Sequence, residues 1–419
     1  MSPNQVLMAG LLLAASAGGA HADETNQSDE QRLAEPVAMA EPPAPKAAAP
    51  EVEDLTPGTL ELLGAQVPPG AARRLSWSAS DTFEGIANPT PVLAVNGARE
   101  GPVLCLTGAV HGDELNGIEI VRRIVHSLDP STLTGAVIGV PIVNLHGFRR
   151  ASRYLPDRRD LNRFFPGNPK GSSAARIAYS FFNQVITHCT ALVDLHTGSF
   201  HRTNLPQVRA DVRHPAVVEL ARGFDSMVVL HSEPAAGTLR RAATEQGIPA
   251  ITMEAGEPMR LQPDEVEAGV AGIESLLNAL GMAKRLRLFR EAEPVYYEST
   301  WIRANSGGIF IGNVKLGQRV KGEDLLGTIT DPITNRTQEI RAPMEGRVLG
   351  MALNQVVMPG FAAFRLGLPT SAEAMISGLQ QEALSRETKN ADINGVLYAI
   401  RGQSNTNGER KADPEEDLD

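Results

Sequence analysis

Short apolar runs alternate with segments of helical spacing from residue 91 to residue 280, and this alternation constrains the fold more than any other feature. The apolar runs are rich in β-branched residues and end in Gly, His, Asn or Glu. Strands alternating with helices are typical of a mixed α/β fold, with a largely parallel sheet flanked by helices. The predicted strands are 91–95, 103–110, 136–143, 191–195, 226–230 and 250–254, and the predicted helices are 117–128, 174–186, 216–224, 238–246 and 264–280.

The pattern changes after this α/β domain, which we expect to span residues 58–290. Between residues 291 and 369, short apolar runs are separated by Gly-rich turns, and no stretch has helical spacing. This pattern predicts a smaller C-terminal all-β domain, either a barrel or a sandwich. Residues 370–419 are polar and are expected to form a tail.

The segment 1–22 is expected to be a signal peptide. An apolar run at 6–17 is followed by Ala20, His21 and Ala22, where the small residues suit a cleavage point. No Lys or Arg precedes the run, which departs from the basic start that such peptides normally have. Residues 23–57 are rich in Ala, Pro and Glu, which predicts a disordered spacer. We therefore expect an exported, periplasmic protein with no stable membrane span after cleavage.

Charge and cysteine content narrow the possible partners and the redox chemistry. The formal net charge is −10, which argues against nucleic acid as a partner because phosphate binding needs clustered Lys and Arg. Only two cysteines occur, Cys105 and Cys189, and both lie in apolar runs. We expect both to be buried free thiols. If their runs are adjacent strands, a disulfide is geometrically conceivable in an oxidising compartment.

Two short motifs offer ligands for a catalytic metal. His111 and Glu114 are three residues apart where a strand gives way to a helix, and His196 ends another apolar strand. Asp194, two residues before His196, could orient its imidazole. Two imidazoles and a carboxylate with one open position are typical of catalytic zinc, so one Zn²⁺ per chain is predicted. The alternatives are that Glu114 only complements a helix N-terminus and that His196 is a buried structural histidine.

Glu254 ends a third apolar strand and is followed by Ala and Gly. A carboxylate at that position should lie in the crevice beyond the strand ends, away from bulk water. There it could act as a general base that takes a proton from the attacking water. The alternative is a solvated glutamate in a turn, which fits less well because the neighbouring Ile251 and Met253 are typical of a core.

A basic loop follows between residues 149 and 167. An arginine of this loop could stabilise a developing oxyanion, and Asn162 with Arg163 could bind a substrate carboxylate. The alternative is a solvated basic loop that is neutralised by Asp157 and Asp160.

Four segments together, HGDE, DLNRFFPG, DLHTGS and TMEAG, resemble the succinylglutamate desuccinylase/aspartoacylase group of zinc carboxypeptidase-like hydrolases. The resemblance covers about residues 91–280 and implies a zinc carboxypeptidase-like α/β fold. It implies that His111, Glu114 and His196 are the zinc ligands and that Glu254 is the catalytic glutamate. It also implies that Arg153 is the oxyanion arginine and that Asn162 and Arg163 bind the substrate carboxylate.

The resemblance leaves two points open within this stretch. The spacing from Arg153 to Asn162 is longer than in aspartoacylase, so Arg149, Arg150 and Arg158 compete with Arg153 for the oxyanion role. The segment 199–207 also resembles the family and is a candidate for the pocket wall, with no role assigned to it.

From the residues and the resemblance together we predict a zinc-dependent amidohydrolase. This deacylase would cleave an N-acyl amino acid or a related amide next to a carboxylate, so its substrate is a small molecule or peptide with a free carboxylate. One alternative is an exported zinc metallocarboxypeptidase that acts on peptides. The other is a non-catalytic carboxylate-binding protein, which Glu254 argues against because a binding protein needs no base.

Overall fold

The computed structural model describes residues 58–78, 89–224, 227–284 and 294–369. The predicted signal peptide (1–22), spacer (23–57) and polar tail (370–419) lie outside these ranges. In the parts of the chain that the structure describes, no helix is both long enough and apolar enough to cross a bilayer.

The described residues form nineteen strands and six α-helices. The strands are β1 (Leu60–Leu62), β2 (Ala65–Val67), β3 (Ala71–Trp77), β4 (Thr90–Asn96), β5 (Arg99–Gly108), β6 (Thr134–Val140), β7 (Ala191–His196), β8 (Arg202–Ala210), β9 (Val228–His231), β10 (Ala250–Gly256), β11 (Val295–Tyr296), β12 (Glu298–Arg303), β13 (Gly308–Gly312), β14 (Arg319–Val320), β15 (Leu325–Thr330), β16 (Thr337–Arg341), β17 (Gly346–Ala352), β18 (Gln355–Val357) and β19 (Ala362–Leu368). The helices are α1 (Asn116–Ser127), α2 (Leu145–Arg149), α3 (Ser173–Gln184), α4 (Pro215–Arg222), α5 (Leu239–Glu245) and α6 (Pro263–Ala279).

Thirteen of the strands form one central sheet, whose main path runs β12-β19-β17-β8-β10-β7-β5-β6-β4-β3. Its middle strands β10, β7, β5 and β6 are parallel, whereas β8, β4 and β3 run antiparallel to their neighbours on this main path. The predicted mixed α/β fold with a largely parallel sheet is therefore confirmed. The carboxyl ends of β5, β7 and β10 consequently meet at one edge.

Helices cover both faces of the parallel strands. On α1, Ile120, Val121 and Ile124 follow helical spacing and are buried in one core that α4 and α6 also enter. A second core on the other face joins α3 and α5 with the N-terminal strands, including Trp77 against Phe181. Because each fully buried aliphatic or aromatic side chain contributes about 1.5–3 kcal/mol, these two cores fix the strand ends that carry the site.

Residues 294–369, the C-terminal β segment, consist of strands and turns, as predicted. Strands β13, β15, β16 and β18 form a separate four-stranded sheet. Strands β12, β19 and β17 instead extend the central sheet, because β17 pairs with β8 through Gly350 opposite Asn204. The sequence pattern did not predict this shared sheet, since it depends on pairing between strands far apart in the chain.

Cys105 and Cys189 form a disulfide, so the expectation of free thiols was wrong. Strand β5 pairs in parallel with β7, with Leu104 opposite Ala191, and this places the two cysteine Cα atoms 5.7 Å apart. That separation is typical of a disulfide. The pairing of β5 with β7 therefore produces the disulfide that the sequence left open as the alternative.

Candidate metal centre and its pocket

His111, Glu114 and His196 converge at the carboxyl edge of the parallel strands. His111 and Glu114 lie between β5 and α1, and His196 is the last residue of β7. Nδ1 of His111 is 2.9 Å from Oε1 of Glu114, and Nδ1 of His196 is 2.8 Å from Oε2 of the same carboxylate. The two Nδ1 atoms are 3.1 Å apart. All three side chains are buried, so the structure brings the predicted ligand residues together.

The outer nitrogen of each imidazole faces a second carboxylate. Nε2 of His196 is 2.7 Å from Oδ2 of Asp194, whose other oxygen accepts a hydrogen bond from the Thr107 hydroxyl at 2.7 Å. Nε2 of His111 is 3.1 Å from Oδ1 of Asp160. Because a carboxylate only accepts hydrogen bonds, we assign the proton of each ring to Nε2. Each Nδ1 then presents a lone pair to the centre.

This donor set fits a zinc ion. With this proton assignment, two imidazole nitrogens and a carboxylate face one another as acceptors at 2.8–3.1 Å, an arrangement that a cation between them would stabilise. Donor atoms on a tetrahedral zinc ion are roughly 3.4 Å apart, which is close to the observed spacing. Carboxylates behind both imidazoles are the usual partners of metal-binding histidines.

The electrostatics of the centre are dominated by these close pairs. Burial alone would raise the pKa of Glu114, but the two histidines outweigh it and hold the pKa well below its usual range. Burial alone would lower the pKa of His196, but Asp194 and Glu114 raise it well above its usual value. The centre therefore favours positive charge beside Glu114.

Gly112, between His111 and Glu114, lies so close to the backbone of α2 that only glycine fits there. A Cβ added at Gly112 would lie 2.1 Å from the backbone carbon of Gly147 on α2. The backbone before the ligands is also unusual, since Ala109 has a φ of 46°, a conformation that non-glycine residues rarely adopt. The turn that carries His111 is therefore fixed against α2.

Glu254 lies on β10 directly opposite His196 on β7. It is buried, and both of its carboxylate oxygens have partners. Oε1 is 3.0 Å from Nη1 of Arg209, and Oε2 accepts a hydrogen bond from Nδ2 of Asn204 at 3.0 Å. Glu254 is therefore a held carboxylate beside the ligands rather than the solvated turn glutamate of the alternative.

A β-bulge brings both partners of Glu254 to one face of β8. Asn204 and Arg209 are five residues apart, an odd separation that would put them on opposite faces of a regular strand. Glu254 pairs with Gln207, but Gly256 pairs with Asn204, so β8 has one extra residue at this point. The bulge reverses the alternation, and both side chains reach the same carboxylate.

The residues of the basic loop also reach the site. Nη1 of Arg153 is 3.2 Å from Oε1 of Glu114, and its Nη2 is 2.9 Å from Oδ2 of Asp160. Asn162 is buried, and its amide oxygen accepts a hydrogen bond from the Leu239 backbone N–H at 2.8 Å. Its amide nitrogen is then the atom that can donate to a ligand.

Arg153, Asn162 and Arg163 all line the same pocket as the candidate metal ligands. Arg163 is exposed, and its Nη1 donates to the backbone oxygen of Asn162 at 3.0 Å. The competing Arg149, Arg150 and Arg158 are exposed, and the described lining of the pocket does not include them.

This pocket has a volume of about 320 Å³ and contains residues that sequence reasoning missed. The cationic, amide and aromatic side chains among the missed lining residues are Arg202, Asn204, Arg209, Arg240, Trp301 and Arg365. The segment 199–207 carried a signal for three lining residues, namely Ser199, Arg202 and Asn204. His201 of that segment is exposed and stands outside the ligand group.

The chain is similar in sequence to a family model and to individual deacylating enzymes. Residues 100–280 match the model of the succinylglutamate desuccinylase/aspartoacylase catalytic domain. An N-α-acetyl-L-2,4-diaminobutyric acid deacetylase from Halomonas elongata is 26% identical over 260 residues, which are 59% of this chain and 75% of that protein. A succinylglutamate desuccinylase from Pseudomonas aeruginosa is 29% identical over 202 residues, covering 44% of this chain and 57% of the relative.

Solved structures share the fold over most of the chain. The product-bound ectoine utilization protein EutE (DoeB) from Ruegeria pomeroyi is 25% identical with a TM-score of 0.63, covering 71% of this chain and 94% of that one. A succinylglutamate desuccinylase from a Silicibacter species is similar in fold alone, at 24% identity and a TM-score of 0.62 over 72% of this chain and 97% of its own. Residues 100–280 of the chain therefore match the catalytic domain of the succinylglutamate desuccinylase/aspartoacylase family.

Proposed function

We propose that the protein is a zinc-dependent deacylase that hydrolyses the amide bond of an N-acyl amino acid next to a carboxylate. The observation that carries the proposal is the convergence of three acceptor atoms of His111, Glu114 and His196 beside the held carboxylate of Glu254. The relatives support it, because one is named a deacetylase and another a desuccinylase of amino acids.

His111, Glu114 and His196 would hold the zinc ion. When bound, zinc supplies Lewis acidity, which lowers the pKa of water and polarises a carbonyl oxygen. Glu254 takes a proton from the attacking water at a carboxylate oxygen and then gives it to the leaving amine nitrogen. The new C–O bond and the broken C–N bond leave a carboxylate and an amine. Arg153, beside Glu114, donates N–H bonds to the oxygen on which negative charge develops.

Asn162 and Arg163 would bind the carboxylate next to the scissile amide. The amide oxygen of Asn162 is already engaged with Leu239, so its nitrogen is available as a donor. Arg163 has its Nη1 on a backbone oxygen, which fixes the plane of the guanidinium at the pocket wall. A planar fork of donors matches a carboxylate in two parallel hydrogen bonds.

A metal assay and a substrate panel test the proposal together. We expect one zinc per chain, bound without sulfur, and activity that is lost on exhaustive chelation and returns with zinc. The panel contains N-acetyl and N-succinyl amino acids and dipeptides, assayed with wild type and Glu254→Gln. Hydrolysis of the acyl amino acids supports the deacylase. Cleavage of dipeptides alone would instead indicate a carboxypeptidase, and zinc binding with no hydrolysis would indicate a binding protein. Full activity after chelation would overturn zinc dependence.

We also propose that the protein is exported to the periplasm. The support is the apolar run at 6–17 and the disulfide between Cys105 and Cys189, since disulfides persist in oxidising compartments. Cell fractionation combined with thiol alkylation tests this. Periplasmic protein with both thiols protected is the expected result, and cytosolic protein with both thiols alkylated would contradict it.

A further inference from the structure

The turn between β7 and β8 has an unfavourable backbone conformation at two successive residues. Phe200 has a φ of 52° and His201 has a φ of 60°, in the left-handed region that residues other than glycine rarely adopt. The turn joins His196 at the end of β7 to Arg202 at the start of β8. Strained residues persist where the surrounding structure enforces them, and they cluster at functional sites. The strain therefore indicates a task for this turn beyond reversing the chain.

Hydrogen bonds inside the turn and from outside it hold this conformation. The backbone oxygen of His201 accepts from the backbone N–H of Leu353 and from Nε2 of Gln355, both at 2.8 Å. Within the turn, Nε of Arg202 donates to the backbone oxygen of Ser199 at 3.1 Å. Two donors of the C-terminal β segment thus meet on one carbonyl of the turn. That segment therefore contributes to enforcing the strained conformation.

Burial of Phe200 does not explain why a phenylalanine lies at this strained position. The residue is 44% exposed, so it recovers only part of the hydrophobic free energy that a core phenylalanine contributes. Its ring instead contacts the basic loop. Cζ of Arg153 lies 5.2 Å from the ring centroid, and the ring centroid of Tyr154 lies 6.5 Å away. Both distances are typical of the cation–π contact and the aromatic pair respectively.

The guanidinium of Arg153 is held at its edge and on its face. The N–H groups of a guanidinium lie in its plane, so the bonds from Nη1 to Glu114 and from Nη2 to Asp160 hold the edge. The Phe200 ring packs against the face, and the Arg153 side chain is only 12% exposed. A donor that is already oriented and shielded from water needs no reorganisation when negative charge develops beside it.

We propose that Phe200 is a positioning residue for Arg153, whose guanidinium it holds at the candidate metal centre and shields from water. The strained turn presents the ring, and the C-terminal β segment enforces the turn through His201. This inference rests on the proposed function, in which Arg153 donates to the developing oxyanion, and deepens it. Phe200 then affects the chemical step more than substrate binding, because that oxygen acquires its charge only in the transition state.

The kinetic test compares Phe200→Leu with Phe200→Tyr on N-acyl amino acids. Neither substitution relieves the positive φ, but only tyrosine keeps the aromatic face. We expect Phe200→Leu to lower kcat about two- to thirtyfold, which corresponds to the loss of one cation–π contact, and to leave KM nearly unchanged. Phe200→Tyr should retain the wild-type kcat. Because Phe200 is exposed, both variants should keep a Tm close to that of wild type.

A second readout needs no turnover and follows the guanidinium itself. The purified full-length protein is treated with phenylglyoxal, which modifies accessible arginines, and peptide mapping gives the rate of modification at Arg153. The exposed Arg260 of the same molecule serves as the internal reference. Phe200→Leu should raise the rate at Arg153 relative to Arg260, because the face of the guanidinium becomes accessible. Phe200→Tyr should leave this ratio unchanged.

The matched control is Tyr179→Leu. Tyr179 is an aromatic residue of similar exposure, 39%, on α3, and the described lining of the pocket does not include it. This variant should change neither kcat nor the modification of Arg153.

The two readouts separate failure of the inference from failure of the proposed function. If wild type hydrolyses the substrates, the inference requires that Phe200→Leu lowers kcat and exposes Arg153 and that Phe200→Tyr does neither. The absence of any of these results would overturn it and leave the proposed function standing. If wild type hydrolyses no substrate, the proposed function fails. In that case the contact with Arg153 stands if Phe200→Leu alone raises the modification ratio, and it is overturned if the ratio is unchanged.

Discussion

At the scale of single residues, a substitution of Glu254 tests the proposed proton transfer most directly. We predict that Glu254→Gln keeps one zinc per chain and lowers kcat by about 10²–10⁴-fold, because the same group accepts and delivers the proton. Glutamine keeps the size and can still accept from Asn204, so the fold should persist. The measurements are steady-state kinetics and metal content. The matched control is Glu219→Gln, an exposed glutamate on α4. A loss of only a few-fold would mean that another residue is the base.

Arg163 tests selection for a neighbouring carboxylate. We predict that Arg163→Lys raises KM about ten- to a hundredfold for substrates with a free carboxylate, because lysine cannot form two parallel hydrogen bonds. The amide or methyl ester of the same substrate should be poor for wild type and nearly indifferent to the substitution. Kinetics on an acid and ester pair check this. Equal hydrolysis of both by wild type would show that the exposed Arg163 is a solvated residue with no part in recognition.

At the scale of elements, the turn between β5 and α1 depends on close contact with α2. We predict that Gly112→Ala destabilises the protein by about 1–3 kcal/mol, because the added methyl group meets the Gly147 backbone at 2.1 Å and the chain must shift. Since His111 and Glu114 flank this position, zinc affinity should fall about ten- to a hundredfold. Urea unfolding and competition with a chelator measure the two effects. Gly322→Ala, where the nearest atom is 3.8 Å away, is the control and should change neither. Unchanged zinc affinity in Gly112→Ala would mean that the turn tolerates displacement.

At the scale of the whole molecule, the disulfide links two parts of the chain that are 84 residues apart. Such a link restricts the unfolded chain, so replacing both Cys105 and Cys189 by alanine should lower the free energy of unfolding by about 2–4 kcal/mol. Urea unfolding of wild type with and without reductant, and of the double variant, measures this. Reductant should lower the stability of wild type and leave the double variant unchanged. Equal stability of wild type and variant without reductant would contradict the prediction.

The sequence determined the layered α/β fold and the convergence of the candidate ligand residues, for local physical reasons. Periodicity distinguishes strands from helices, and parallel strands must end at the same edge. His111, His196 and Glu254 each follow or end an apolar strand, so their meeting follows from topology without knowledge of side-chain contacts. The basic loop was predictable to the same extent, because Arg153, Asn162 and Arg163 lie near the ligands in one turn-rich stretch.

Only the tertiary structure decided the rest of the pocket, because the pairing and register of distant strands are not encoded in local periodicity. A bulge in β8 brings Asn204 and Arg209 to the same carboxylate against the normal alternation. The pairing of β17 with β8 brings Arg365 to the pocket from a segment that reads as a separate β domain in the sequence. The pairing of β5 with β7 likewise joined two cysteines that composition alone left free, since a disulfide requires a separation that only the folded sheet fixes.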